Sequence, residues 1–363
     1  MAEYELDEKD ILILNALEKY GAKKSTGELE DLLNIPARTI RYRLSKMKEN
    51  DILLSPYAMT YERKLGLGEH ILIMNQTTPS TRKLDQLIKT MPPFYWFSPT
   101  YGKYNGYVVH SVYTLSEPAA NEEIAVQMKK HGLISDYHLF DLTDFHVKPV
   151  DFTHYCHEEK WTWEWSQWPD IIDDCLDEDE FKPPITERPR RVDFDAKDLK
   201  LLRSLRRNAD MTLKELGQNL SLSETQVNRR IDRLENEGVI KGYKCVIGEF
   251  GNELLVSCFI QLQKPYDSIL GCFYELPFPL YLMMQSPTDF CIRFGLPMEE
   301  AKDFLTAFDK LRPHLRSFFF QTQHAPSLVP KYRAYDLYDE EDEDWQSMTE
   351  KCTQTIQEFA DNS

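Results

Sequence analysis

"LSLSETQVNRRIDRLENEGVIKGY", residues 220–243, decides the reading of this chain. Ser223 and Gln226 form an S-x-x-Q capping box that opens a helix. Val227, Ile231 and Leu234 follow at i, i+4 and i+7, so one face of that helix must meet a core. Gly238 suits the C′ position that ends it, and "VIKGYKCVI" (239–247) reads as a strand. Upstream, Thr212 and Glu215 form a second capping box, with Leu216 and Leu220 inward. Further upstream, Asp195 caps a first helix whose Leu199, Leu202 and Leu205 share a face. Three short helices, a tight turn between the last two and a following strand make a winged helix-turn-helix layout.

The layout occurs twice. "LDEKDILILNALEKYG" (6–21) matches "FDAKDLKLLRSLRRNA" (194–209), and "GELEDLLNIPARTIRYRLSKMKENDIL" (27–53) matches "KELGQNLSLSETQVNRRIDRLENEGVI" (214–240). Asp7, Asp10, Leu29 and Arg43 fall on Asp195, Asp198, Leu216 and Arg230, with one residue inserted in the first copy near Ala22–Ser25. Such a register across several elements points to an internal duplication. Aromatic and acidic stretches end each half, at 161–180 and 332–345. The proline-bearing "FKPPITERPRR" (181–191) lies between them as a linker. Trp161, Trp163 and Trp165 alternate, which a strand would place on one face against the sheet or an interface.

Charge sharpens the point. The chain of 363 residues holds 60 Asp and Glu against 43 Lys and Arg, a formal charge of −17. That balance argues against diffuse attraction to nucleic acid or anionic membrane and leaves room for a local basic surface. "ARTIRYRLSKMKEN" (37–50) is such a surface, with no acid between Arg38 and Lys48. With Ile40, Leu44 and Met47 inward, Arg38, Tyr42 and Ser45 lie opposite and Arg41 on the flank. The second copy places Thr225, Arg229 and Asp232 opposite and Asn228 on the flank. Arg reads guanine, Asn adenine, and Thr touches the thymine methyl. Arg43, Lys46, Lys48, Arg230, Arg233 and Lys241 suit phosphates, which position without specifying. Arg188, Arg190 and Arg191 form a basic arm ahead of the second copy.

Residues 220–243, and 195–220 leading into them, resemble the DNA-binding head of the Lrp/AsnC (feast/famine) transcription regulators. The similarity covers most of 194–325 and, more loosely, 6–145; Leu65-Gly66 and Phe250-Gly251 fit it too. It implies an α+β chain: two winged helix-turn-helix domains, each followed by a βαββαβ ferredoxin-like (RAM) domain, together an intrachain pseudo-dimer. The boundaries expected are 1–62 and 193–248 for the heads, 63–168 and 249–335 for the ferredoxin-like domains, 169–192 for the linker and 336–363 for an acidic tail with a terminal helix. The resemblance also implies double-stranded DNA as partner and an amino acid as effector. Ser286, Thr288 and Asp289, in a middle hairpin turn without glycine, are the candidate effector contacts. Because the two reading helices differ, an asymmetric DNA site is expected.

The remaining features point to no chemistry. The 7 scattered cysteines form no CxxC pair, which reads as reduced cytoplasmic thiols. No apolar run approaches the roughly 20 residues of a membrane helix. "HYCHEEKW" (154–161) gathers His154, Cys156 and His157 without a zinc spacing, so neither metal nor cofactor is expected. There is no phosphate loop, nucleophile motif or paired-carboxylate signature. Siroheme decarboxylases have a similar head-plus-ferredoxin layout; under that rival reading a histidine such as His110 or His138 would act on a tetrapyrrole. A further rival uses the heads as protein-docking surfaces.

Overall fold

The structure, a computed structural model, describes residues 4–77, 81–156, 160–177, 181–185, 189–247, 253–323 and 332–361. The Phe250-Gly251 pair, Arg188 and His157 lie outside them. The first head comprises α1 (Glu8–Tyr20), α2 (Thr26–Leu33), α3 (Ala37–Glu49) and the wing strand β1 (Leu53–Thr60). Asp7 with Asp10 and Ser25 with Glu28 form capping boxes for α1 and α2, whereas α3 starts behind Pro36 with no side-chain cap. Then come β2 (Leu67–Gln76), α4 (Thr81–Thr90), β3 (Phe94–Gly102), β4 (Gly106–Thr114), α5 (Ala120–Lys130), β5 (Ile134–Leu142) and β6 (Asp144–Lys148). A first tail holds the small hairpin β7 (Tyr155–Cys156) and β8 (Lys160–Trp161), then α6 (Trp168–Leu176).

The second half runs through the same series. Its head is α7 (Ala196–Arg207), α8 (Leu213–Leu220), α9 (Glu224–Asn236) and β9 (Ile240–Ile247). α8 and α9 carry the capping boxes read from the sequence, the Asp195 cap of α7 is completed to a box by Asp198, and Gly238 sits at φ +67°, the left-handed conformation that ends α9. Next are β10 (Glu253–Leu262), α10 (Gly271–Tyr274), β11 (Leu280–Ser286), β12 (Asp289–Pro297), α11 (Ala301–Phe308) and β13 (Leu315–Gln323). A second tail holds β14 (Tyr338–Asp339), β15 (Asp344–Trp345) and α12 (Thr349–Asp361).

Each βαββαβ unit orders its strands fourth, first, third, second: β5-β2-β4-β3 and β13-β10-β12-β11. Two seams join the units. Fourth strand β13 pairs with second strand β3 from Gln321↔Gly102 to Gln323↔Thr100. At the other seam, β6 continues β5 past Thr143 and pairs with β11 from Leu280↔Lys148 to Met284↔Asp144. The sheets therefore close on each other, and their inner faces share a core of Ile71, Ile73, Val108, Phe140, Phe259, Met283 and Cys291. Closure removes the free edges that would invite stray strand pairing. The heads are joined as well, since β1 pairs antiparallel with β9 from Leu53↔Ile247 to Thr60↔Ile240.

The tails cross over, and here the structure corrects the sequence reading. Residues 169–176 are not linker: α6 is docked on the second half, with the Trp168 indole donating to the Cys272 carbonyl at 2.9 Å. Trp161, Trp163 and Trp165 are all buried, yet only Trp161 lies in a strand; Trp165 sits in a 3₁₀ turn against Phe278 and Phe304. Alternation meant burial here without a continuous strand, because the chain turns to follow the second half's aromatic surface. Conversely, Cys352 and Ile356 of α12 join the core beneath α4 and α5 of the first half.

Candidate nucleic-acid interface

In α9, Val227 and Leu234 are fully buried and Ile231 nearly so, leaving Thr225, Asn228, Arg229 and Asp232 exposed. Asn228 donates to Asp232 at 2.9 Å along this face. A cleft of about 290 Å³, lined by Asp195, Leu222, Gln226, Arg229, Arg230 and Arg233, runs beside it. In α3, Ile40 and Met47 are buried while Arg38, Arg41, Tyr42 and Ser45 are exposed. Arg41 reaches Thr26 at 3.4 Å, and the Lys46 ammonium lies 2.7 Å from Glu49 and 6.0 Å from the Tyr42 ring centre. Both reading faces thus consist of the side chains that the helical period places outward.

Several of the cations expected at phosphate hold the heads together instead. Arg43 bonds Asp7 at 2.6 Å and Asp10 at 2.9 Å. Arg230 repeats this with Asp195 at 2.9 Å and Asp198 at 2.6 Å, and Arg233 also pairs with Asp198. Asp10 and Asp198 are each only 1% exposed. These arginines clamp the reading helix to the start of the first helix and are neutralised there. Burial is the largest influence and raises the Asp7 and Asp195 carboxyls, but the arginine hydrogen bonds, the backbone amides of the helix start and the arginine charge together hold both below the usual range. Lys241 is not a free wing cation: it pairs with buried Asp144 and donates to the Phe145 carbonyl at 2.5 Å. The partner acids lie 32 to 97 residues away in sequence. The clamps were nevertheless foreshadowed, since Asp-x-x-Asp and its Arg recur together in both copies.

Contacts between the heads fix their relative placement. Lys48 meets Asp210 at 2.7 Å, Lys64 donates to the Glu237 carbonyl at the end of α9 at 2.5 Å, and the Tyr61 amide donates to the Val239 carbonyl at 2.8 Å. The seat beneath the second head is polar. Arg206 of α7 pairs with buried Glu62 at 2.7 Å and stacks on Tyr332 at 3.9 Å, while Tyr335 donates to Glu62 at 2.9 Å. Of the basic arm, Arg190 and Arg191 are exposed, and Arg191 lies 4.0 Å from Asp344.

The other candidates are placed as follows. Ser286 and Thr288 both donate to Asp289, at 2.6 and 2.7 Å, so the proposed effector contacts close their own turn. His110 is buried; its Nε2 accepts from Arg293 at 3.0 Å, and burial beside that guanidinium keeps the ring neutral. His138 is enclosed by the rings of Tyr104, Phe259 and Phe319, and burial lowers its pKa as well. His154 packs edge-on against Trp163. Among the described residues no three His, Cys, Asp or Glu side chains gather as metal ligands, and no helix is long and apolar enough to cross a membrane.

Residues 194–241 match the family model of winged helix-turn-helix DNA-binding domains. The leucine-responsive regulatory protein of Rhizobium meliloti is 34% identical over 85 residues, which span 23% of this chain and 54% of that protein. These residues form a winged helix-turn-helix similar to that of Lrp-type regulators. The HTH-type transcriptional regulator LrpC of Bacillus subtilis is 28% identical over 102 residues, 28% of this chain and 67% of the relative. The chain thus spans about half the length of the first Lrp relative. At the level of the whole fold it is similar to the siroheme decarboxylase NirDL, with a TM-score of 0.54 at 12% identity over 97% of this chain and 98% of that one. The winged helix-turn-helix is therefore set in an architecture that NirDL also adopts.

Proposed function

We propose that this chain is a transcription regulator that binds double-stranded DNA in the cytoplasm with two unlike heads at a fixed spacing, on an asymmetric site. The observation that carries the reading is the exposure of two helix-turn-helix reading faces whose heads share the β1–β9 sheet. In this reading the two halves are the fused, duplicated counterparts of two subunits, with sequence contacts from Arg38, Arg41, Tyr42 and Ser45 on one side and Thr225, Asn228 and Arg229 on the other. The test is footprinting and mobility shift over a salt series. Salt-sensitive, sequence-selective binding to unequal half-sites supports the proposal; a perfect inverted repeat refutes the asymmetry. Unchanged affinity after alanine at Arg38, Arg41 and Arg229 would favour heads that dock protein.

A second reading, chemistry on a tetrapyrrole at His110 or His138, draws on the whole-length likeness to NirDL. A Soret band in the purified protein, or one acquired on adding siroheme, would support it.

A further inference from the structure

The closed sheets hold a charge without a counter-charge. Arg293 on β12 is 6% exposed. Its Nε donates to Ser257 at 2.9 Å, its Nη1 donates to the neutral ring of His110 at 3.0 Å, and its guanidinium lies 4.8 Å from the Trp96 ring centre. Burial pulls its pKa down, and the groups that act on it against this, Cys291, Tyr281 and Tyr95, include no carboxylate. No carboxylate pairs with it among the described residues. Arginine stays protonated in proteins, and a buried, uncompensated charge is expensive.

Two buried polar atoms here have no hydrogen-bond partner among the described residues: Arg293 Nη2, a donor, and Gln323 Oε1, an acceptor. Both side chains meet at one hydroxyl, since Gln323 Nε2 also donates to Ser257, at 3.2 Å. Gln323 is 1% exposed.

The place is particular to one half. Strand register makes His110, opposite Ile71, the counterpart of Arg293, opposite Ser257. By the same register Leu142, two places beyond Phe140 on β5, is the counterpart of Gln323, two places beyond Gln321 on β13. The first half is apolar where the second carries Ser257, Gln321 and Gln323. The apolar pattern would have packed without penalty; the polar one leaves a cation, a donor and an acceptor in the interior.

We propose that Arg293, Ser257 and Gln323 form a binding site for a small oxyanion between the two sheets, its oxygens on Arg293 Nη2 and a retained O–H donated to Gln323 Oε1. Bicarbonate is the simplest such ion. Formate tests the charge without the O–H, and chloride tests charge alone. This site is distinct from the Ser286–Asp289 turn and does not depend on the DNA-binding reading.

The experiment is calorimetric titration of the full chain with bicarbonate, formate and chloride at pH 8 and constant ionic strength, with thermal denaturation in parallel. One saturable bicarbonate site per chain, at least tenfold tighter than formate, is expected. Arg293→Met should abolish binding of all three ions. Gln323→Leu should remove the preference for bicarbonate while formate still binds. If Arg293→Met does not fold, Gln323→Leu and Ser257→Ala carry the test, the latter expected to weaken bicarbonate at least tenfold. Absence of saturable binding by any ion, as when internal water alone fills the site, overturns the proposal. Retention of full affinity in Arg293→Met or in Ser257→Ala also overturns it.

Discussion

The first head presents Arg38, Arg41 and Tyr42 from a helix that starts behind a proline; the second presents Thr225, Asn228 and Arg229 from a helix with a full capping box. Beneath these unlike faces runs the same clamp, Arg43 to Asp10 and Arg230 to Asp198. The repeated part of the charge pattern thus builds the frame, and the part that differs lies at exposed positions. Counting cations on a reading helix without their partners overstates its pull on DNA, most of all in the second head, where Arg230 and Arg233 are both occupied.

The comparison breaks hardest at the buried acids. Asp198→Ala takes a carboxylate from two arginines and Asp10→Ala from one, although Arg230 keeps Asp195 and Arg43 keeps Asp7; losing such charged hydrogen bonds costs about 1.5–3 kcal/mol. Asp198→Ala should be the worse of the two, with hydrogen exchange rising first in α9, and equal losses would mean that the clamps are equivalent. The seat beneath the second head adds a pH dependence that the first head lacks. Burial, with Glu62 nearby, pushes the Glu69 carboxyl up to about 7, against a hydrogen bond from Tyr95 at 2.6 Å and the charges of Arg206 and Arg63. The folded state therefore keeps a proton that the unfolded chain loses near pH 4.5. Stability should fall by about 3 kcal/mol as pH rises from about 4.5 to 7, then level off. Glu69→Gln should flatten that stretch of a melting-temperature profile; an unchanged slope would assign it elsewhere.

Next in size are the reading faces. Arg229→Ala should lose about 1–3 kcal/mol of discrimination at one base pair. Joint Arg38→Ala and Arg41→Ala, which removes two exposed cations from the more basic face, should relax selectivity at the first half-site and also weaken all sequences, lowering the salt slope by about 2. An identical signature from both variants would erase the distinction between the heads. The smallest effect concerns caps: Ser223→Ala should cost about 1 kcal/mol, whereas Pro36→Ala, which removes no cap hydrogen bond, should cost less in the same urea titration.

Helices, caps and reading faces were legible because they depend on neighbours three or four residues apart. The succession of strands and helices in each half is the βαββαβ series that the family resemblance implied, while the strand order is known from the structure alone. What the sequence concealed lies at long range. Lys241 finds Asp144 across 97 positions, and no local pattern marks it as bound rather than free. The tryptophans announced burial but not against which half. The Arg293 cluster was hidden because a lone arginine in an apolar strand shows its lack of a partner only once the strands around it are known.

The crossed tails bear on the order in which the protein is made. Residues 161–176 leave the ribosome before Cys272, Phe278 and Phe304, against which they pack. The nascent first half must therefore carry its tryptophans without their final shelter until most of the second half has emerged. Its own outer layer is joined by Cys352 and Ile356, which are made after both sheets. Maturation should accordingly end in a single late step, and a ribosome stalled midway would display an adhesive aromatic strip suited to capture by chaperones.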